Sequence, residues 1–181
     1  CQLGRFHNIE VEDNVSAYFE YRNGATGTFV SSTGEAPGTN RFEIVGTRGK
    51  VLLEADKLTF TRNESDMTEF SRTAKLGFAK PEVWNISIPL ESAANPHATL
   101  MQNFVNAILE GEPLIAPGEE GIHSVELANV ILYSSLADQT VQLPMDSAAY
   151  ENKLNQLIAS SKIEKKVVEV SNEDFTASFR R

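Results

Sequence analysis

The chain has 181 residues, and its 16 Lys and Arg against 25 Asp and Glu give a formal net charge of −9. This acidic balance disfavours nucleic-acid binding, which requires clustered Lys and Arg to displace counterions from phosphates. A hydrophobic fraction of 41% indicates a folded globular protein, and no apolar run approaches the roughly 20 residues that a membrane span requires. The single Cys favours a reducing compartment, so we expect a cytoplasmic protein.

The first ninety residues show the period-two alternation of half-buried strands. The alternation is clearest over residues 14–21, where one predicted face consists of Val15, Ala17 and Phe19. Asn23-Gly24 follows and predicts a type I′ hairpin turn, because both residues tolerate positive φ. The rest of this antiparallel meander is predicted as strands at residues 25–33, 41–45, 50–54, 58–62 and 82–90, with a loop over residues 63–80.

The second half of the chain changes to the helical period. Asn95 followed by Pro96 predicts a helix start, because an Asn side chain caps free N–H groups and proline lacks the N–H that would need a partner. Gly111 predicts the end of that helix. The remaining predicted elements are a helix over residues 122–136, a short strand at residues 140–143 and a helix capped by Asp146.

Strands followed by helices predict an α+β fold, in which a largely antiparallel, open-faced sheet has helices packed on one face. The other face is a candidate interface between copies of the chain, or it is covered by a further domain. We predict one domain over residues 1–160 and a C-terminal strand or tail over residues 161–181. Because the chain begins at Cys1 and enters a strand-like pattern at once, we expect a piece of a longer protein, incomplete at its N-terminus.

The sequence contains no recognisable motif for cofactor, metal or nucleophilic chemistry. Two Gly-x-x-Gly runs, at residues 24–27 and 46–49, are interpreted as hairpin turns, since neither is predicted to open a helix after a buried strand. Paired metal ligands need a defined spacing, which is absent from the three histidines, His7, His97 and His123. No Gly-x-Ser-x-Gly turn supports a nucleophilic Ser. We therefore predict no catalytic, cofactor-binding or metal-binding residue in this chain.

Two features remain as candidates for binding a sugar or polyol. The loop between the two predicted hairpins places a carboxylate, an amide and a guanidinium close together in Glu35, Asn40 and Arg41, and such groups can bind hydroxyls. The alternative is a surface connection in which Arg41 pairs with Glu35 or Glu43. His97 lies in the first turn of a predicted helix, where the positive helix end favours a neutral imidazole that could hydrogen-bond a substrate hydroxyl. Equally, His97 could cap the helix or pack.

Several motifs follow one another in an order that is typical of one family. They are Asn23-Gly24-Ala25-Thr26-Gly27, the loop from Ser32 to Arg41, Gly46-Thr47-Arg48-Gly49-Lys50, Gln102-Asn103-Phe104, Gly118-Glu119-Glu120-Gly121 and Val141-Gln142-Leu143-Pro144. Over roughly residues 5 to 160, this ordered set resembles the C-terminal domain of the glucose–fructose oxidoreductase, inositol dehydrogenase and rhizopine-catabolism (Gfo/Idh/MocA) family.

The resemblance implies an oxidoreductase in which a Rossmann domain binds NAD or NADP. The C-terminal domain then supplies the substrate pocket and, through its open sheet, the subunit contact. The family's catalytic Lys, in a Glu-Lys-Pro motif, and its Asp/His pair both precede the point where this chain begins, so we expect the chain alone to be inactive.

The implied function is the substrate-binding and oligomerisation domain of an NAD(P)-dependent enzyme that acts on CH–OH groups of a sugar or polyol. On this interpretation the substrate-binding residues are Glu35, Asn40, Arg41 and His97. The expected partners are a small-molecule sugar or polyol and further copies of the chain. The alternative function is a non-catalytic carbohydrate-binding module or a structural oligomerisation module.

Overall fold

The computed structural model describes residues 1–90 and 95–162. Its strands are β1 (Gln2–Gly4), β2 (Asn14–Glu20), β3 (Thr26–Ser32), β4 (Arg41–Gly46), β5 (Gly49–Glu54), β6 (Lys57–Asn63) and β7 (Val83–Ile88). Its helices are α1 (Met67–Thr73), α2 (Pro96–Glu110), α3 (Gly121–Leu136) and α4 (Ser147–Ser160). The described residues divide into two compact units, the first made of residues 1–34 and 121–162, and the second of residues 35–90 and 95–120.

Antiparallel sheets combined with α-helices confirm the predicted α+β class. Among the described residues, the strands form two sheets, with the orders β1-β2-β3 and β4-β5-β6-β7. The strands are antiparallel as predicted, but the prediction that they form a single sheet is wrong. The two sheets are separated in sequence by the segment 33–40, in which Gly34, Pro37 and Gly38 interrupt the strand pattern.

In the first unit, the β2 face made of Val15, Ala17 and Phe19, which the alternation predicts, is turned towards α3. Ala17 pairs with Phe29 across the β2–β3 ladder, so the two side chains share this face. Phe19 and Phe29 line a common groove with apolar side chains of α3, namely Leu127, Ala128, Ile131 and Leu132. Ala17 and Ile131 are among the few buried hydrophobic residues of the described chain, so this contact is the core of the first unit.

In the second unit, the register of β4–β7 separates side chains by polarity. Directly paired residues of antiparallel strands share a face, so the Phe42–Leu53 pair lies on one face and the Arg41–Glu54 pair on the other. The first, which we call the apolar face, consists of Phe42, Ile44, Val51, Leu53, Leu58, Phe60, Trp84, Ile86 and Ile88, with Arg62 stacked over Trp84. The opposite, polar face carries Arg41, Glu43, Lys50, Glu54, Lys57, Thr59, Thr61, Asn85 and Ser87, interrupted by Val45, Leu52 and Val83.

The hairpin predicted at Asn23-Gly24 is present, but its turn type differs from the prediction. Only Gly24 of this pair has a positive φ, of 84°, because the Asn23 side chain instead accepts a hydrogen bond from the N–H of Ala25. The result is a three-residue loop with the left-handed residue last. Two consecutive positive φ values, as a type I′ turn requires, occur at Ala55 (49°) and Asp56 (58°), between β5 and β6.

Two further predictions of secondary structure are wrong. The segment predicted as loop contains α1, which begins because the Asp66 carboxylate accepts hydrogen bonds from the N–H groups of Thr68 and Glu69. Residues 140–143 were predicted as a strand, but they pair with no strand in the described part of the chain. An alternating apolar pattern needs a neighbouring strand to form a ladder, and none of the described strands lies there.

The helix signals of the second half are confirmed. The Asn95 Oδ1 atom accepts the N–H of Ala98, and α2 ends at Gly111, whose φ of 72° is left-handed. Asp146 caps α4 in the same way as Asn95 caps α2. Of the predicted C-terminal strand or tail, residues 163–181 lie outside the described residues.

We expect Asn95→Ala to lower the free energy of unfolding by about 1 kcal/mol, because it removes the side-chain acceptor at the start of α2. Urea unfolding of the wild type and the variant measures this difference. Asn152→Ala is the matched control, since Asn152 is an exposed amide within α4, where Ala favours the helix. An equal loss of stability in both variants would contradict the capping role of Asn95.

Candidate functional site

Arg41 lies in a cluster of charges on the polar face of the second sheet. Its Nη2 atom is 2.7 Å from Glu43 Oε2, and its Nη1 atom is 3.3 Å from Glu54 Oε1. Lys50 Nζ approaches the same Glu43 oxygen at 3.4 Å. The strand register explains the cluster, because Arg41 pairs directly with Glu54 and shares its face with Glu43 two residues later. Glu35 and Glu43 were the two predicted partners of Arg41, and the structure confirms Glu43.

These contacts change the proton affinity of the cluster. The hydrogen bond from Arg41 holds the pKa of Glu43 below its ordinary value, with burial acting in the opposite direction. The same hydrogen bond raises the pKa of Arg41. Both groups therefore stay charged, and the guanidinium is held in one place while its side chain remains 43% exposed. A guanidinium has five N–H donors, so Arg41 keeps donors for a ligand beside its two carboxylate partners.

Glu35 and Asn40 lie in the segment that leads into β4, and both are exposed. Within the described residues, neither side chain takes part in a hydrogen bond or an ion pair. Their carboxylate and amide groups are therefore accessible to a ligand. Asn40 immediately precedes Arg41 in the chain, whereas Glu35 lies six residues before Arg41.

His97 is exposed in the first turn of α2. The cap of this helix is Asn95, so His97 does not serve as the cap. Helical spacing places His97 on the same side as Leu100, Met101 and Phe104, three, four and seven residues later. Within the described chain, no hydrogen bond joins His97 to Glu35, Asn40 or Arg41. Asn40 and Arg41 are therefore neighbours only in sequence, and the structure shows no direct contact between either of them and His97.

A His–Asp pair in the first unit was missed by the sequence analysis. His7 Nδ1 lies 2.6 Å from Asp13 Oδ2, and the Asp13 carboxylate also accepts the backbone N–H groups of Phe6 and His7. The Asp13 side chain is 2% exposed, whereas that of His7 is 54% exposed. This geometry needs the segment between β1 and β2 to fold back on itself, and no period or motif in the sequence signals it.

The pair has a defined chemical arrangement. Burial raises the pKa of Asp13, but hydrogen bonds from the backbone N–H groups of His7 and Phe6 and from the His7 ring outweigh it and leave the pKa below its ordinary value. An ionised carboxylate next to Nδ1 favours the tautomer in which Nδ1 carries the proton, which leaves Nε2 as an acceptor or base. Asp13 therefore orients an accessible imidazole.

Three other features bear on the kind of site that the chain can form. Across the described ranges, no group of three or more His, Cys, Asp or Glu side chains could hold a metal ion. Both Gly-x-x-Gly runs lie at hairpins, between β2 and β3 and between β4 and β5, so the interpretation as turns is confirmed. No helix in residues 1–90 or 95–162 is long and apolar enough to cross a bilayer.

Asp13→Asn should make the fold less sensitive to acid. A carboxyl group with a depressed pKa stabilises the folded state above its unfolded pKa of about 3.9, and this stabilisation is lost as the pH falls through the folded pKa. We therefore expect the wild type to lose more stability than Asp13→Asn between about pH 5 and about pH 2, although the variant starts less stable at neutral pH.

Unfolding midpoints in urea across this pH range measure the effect. Glu151→Gln, on the exposed surface of α4, is the control and should follow the wild-type curve. If Asp13→Asn also follows that curve, the buried carboxylate has no such role.

Comparison with known proteins identifies the family of this domain. A family model described as the C-terminal alpha/beta domain of an oxidoreductase family, GFO_IDH_MocA_C, matches residues 3–143. The curated proteins compared with the chain gave no match. The matched residues include the His7–Asp13 pair, both sheets except Gln2, and the charge cluster around Arg41. Because the match covers well over half of the chain, the protein belongs to the Gfo/Idh/MocA oxidoreductase family, through the C-terminal α/β domain of that family.

Proposed function

We propose that this chain is the substrate-binding and subunit-contact domain of an NAD(P)-dependent oxidoreductase that acts on CH–OH groups of a sugar or polyol in the cytoplasm. The observation that carries the proposal is the family match over residues 3–143. An oxidoreductase of this kind needs a surface that recognises hydroxyl groups. The polar side chains leading into and starting β4 offer donors and acceptors of that kind.

The proposed substrate contacts are Glu35, Asn40, Arg41 and His97. The contribution of Arg41 is supported by its ion pairs, because Glu43 and Glu54 fix the guanidinium before a ligand arrives. Such preorganisation reduces the entropy lost on binding. Glu35 and Asn40 add an acceptor and an amide, so that one hydroxyl-rich ligand could be bound by both donors and acceptors.

The described residues do not fit the dinucleotide itself. A pyrophosphate site uses a glycine-rich loop that opens a helix, where free N–H groups point at the phosphates. Here both glycine runs connect antiparallel strands, and the 3-10 turn before α3 carries Glu119 and Glu120, which repel phosphate. On this proposal, NAD or NADP is bound by residues other than those described, and this chain binds the substrate.

The apolar face of the second sheet supports a role in association. Phe42, Ile44 and Trp84 on this face are 62%, 58% and 51% exposed in the single chain. Exposed apolar patches of this extent are typical of interfaces. We propose that a second copy of the chain covers the apolar face, and that the charged polar face stays in contact with water or ligand.

A non-catalytic carbohydrate-binding or structural module is the second candidate. It is favoured by the same absence of a dinucleotide site from the described residues. The parent reading frame distinguishes the two candidates. A Gly-x-Gly-x-x-Gly unit and a Glu-Lys-Pro motif upstream of Cys1 support the oxidoreductase, and their absence supports the binding module.

Steady-state kinetics of the full-length protein test the proposed substrate contacts. Arg41→Ala and His97→Ala should each raise KM for the polyol more than they lower kcat, because they remove binding interactions rather than the group that transfers the proton. Lys57→Ala on the same polar face is the control for a general change of charge. Unchanged kinetics in both variants would exclude these residues from the substrate site.

Association through the apolar face is tested by Ile44→Glu. Ile44 is already exposed in the single chain, so a charge there should be tolerated in the monomer but costly once the face is covered. We expect sedimentation to show an assembly for the wild type that dissociates in the variant. Thr59→Glu, on the polar face, should assemble like the wild type. A wild-type monomer, or an intact Ile44→Glu assembly, would contradict this interface.

A further inference from the structure

The helix α2 has two chemically different sides. Its apolar side consists of Leu100, Met101, Phe104, Val105 and Ile108, which follow the helical repeat. The opposite side carries Thr99, Gln102, Asn103 and Asn106, and these residues line an open groove together with Glu112 and Ile115 of the following loop. The groove has a volume of about 490 Å³, within the range of small-molecule sites. It lies wholly within the second unit, on the side of α2 away from His97.

Asn103 builds the wall of this groove. Its Nδ2 group donates to the carbonyl of Pro113 at 2.9 Å, and its Oδ1 atom accepts the N–H of Ile115 at 2.9 Å. Both ends of the amide are therefore used to hold the loop against the helix. As a result, the side chain of Ile115, which is 62% exposed, is fixed at the edge of the groove as an apolar surface.

Gln102 and Asn106 supply the polar groups of the groove. Gln102 donates from Nε2 to Asn106 Oδ1 at 2.8 Å. Within the described residues, this bond leaves the Oε1 atom of Gln102 as an acceptor and the Nδ2 group of Asn106 as a donor, both without a protein partner. The carboxylate of Glu112 adds a second acceptor. A free acceptor on Gln102 and a free donor on Asn106 thus lie on the same side of α2, one helical turn apart.

The charge of the groove selects among ligands. None of the residues that line it is Lys, Arg or His, and the one charged group is the carboxylate of Glu112. Phosphates and carboxylates would therefore be repelled without compensation. Neutral polyhydroxylated molecules fit better, since their hydroxyls both donate and accept, and their C–H surfaces can contact Ile115.

We propose that this groove on α2 is a binding site for a neutral polyol or sugar, separate from the substrate contacts proposed around Arg41. The substrate class rests on the proposed function, and the groove adds a second subsite of the same chemistry. Because the groove is open, we expect weak binding, with a Kd on the order of millimolar.

Methyl NMR of the full-length protein tests the proposal. Isoleucine δ1 methyl groups are labelled, Ile115 is assigned with Ile115→Leu, and the protein is titrated with myo-inositol, D-glucose and glucose 6-phosphate. We expect the Ile115 signal to shift saturably with the two neutral ligands and more weakly with the phosphate. The signal of Ile158, on α4, should not move.

Gln102→Ala with Asn106→Ala is the decisive variant, and it should weaken the Ile115 response to inositol and glucose by about tenfold or more. Alanine favours the helix at both positions, so lost folding does not explain lost binding. The matched control is Asn155→Ala with Gln156→Ala, which removes two exposed amides from α4. The proposal would be overturned if the Ile115 signal does not shift with the neutral ligands. It would also be overturned if both double variants weaken this response equally.

Activity measured in parallel separates this inference from the proposed function. Polyol oxidation with NAD or NADP, together with a silent Ile115 signal, contradicts only the groove. A saturable Ile115 response that needs Gln102 and Asn106, in a protein with no oxidoreductase activity, supports the groove and contradicts the proposed reaction.

Discussion

The two-residue alternation of the β4–β7 ladder is the constraint on which the second unit depends. In a pleated strand, neighbouring side chains point to opposite faces, and the register then collects most of the large apolar side chains of four strands on one face. A slip of one residue in β4, β5 or β6 would move charged side chains to the apolar face, and a slip in β7 would move Asn85 and Ser87 there. The same register that collects Phe42, Leu53 and Phe60 on one face also brings Arg41 to Glu54 on the other. The proposed interface and the proposed substrate contacts are therefore two consequences of one alignment.

Local chemistry explains which parts of the fold could be predicted from the sequence. The capped helix from Asn95 to Gly111 was predicted because its signals lie within the residues that use them. The strands were predicted because alternation is visible in a single segment. The type I′ turn was placed wrongly, since Asn23 can either adopt positive φ or accept a hydrogen bond from Ala25. The helix α1 was missed because seven residues are too short to show a helical repeat.

The candidate sites were less predictable than the elements that carry them. Arg41 was singled out for its residue type, but its geometry depends on Glu54, thirteen residues later on another strand. The His7–Asp13 pair depends on a chain reversal between β1 and β2 that no periodicity encodes. The two hydrogen bonds by which Asn103 holds the loop at Ile115 join residues ten and twelve positions apart, and no motif in the sequence signals them. In each case the site depends on which distant segment of the backbone lies beside the side chain, and the sequence pattern does not contain that information.

The charge cluster around Arg41 also bears on how the protein avoids unwanted association. Within the described residues, β4 is a terminal strand of its sheet, and a terminal strand presents free N–H and C=O groups to any passing chain. Arg41 and Glu43 lie on that strand, with Lys50 beside them. An incoming strand would have to place its own side chains next to these fixed charges and displace their water. The cluster thereby disfavours growth of the sheet at this edge, including growth towards fibrils.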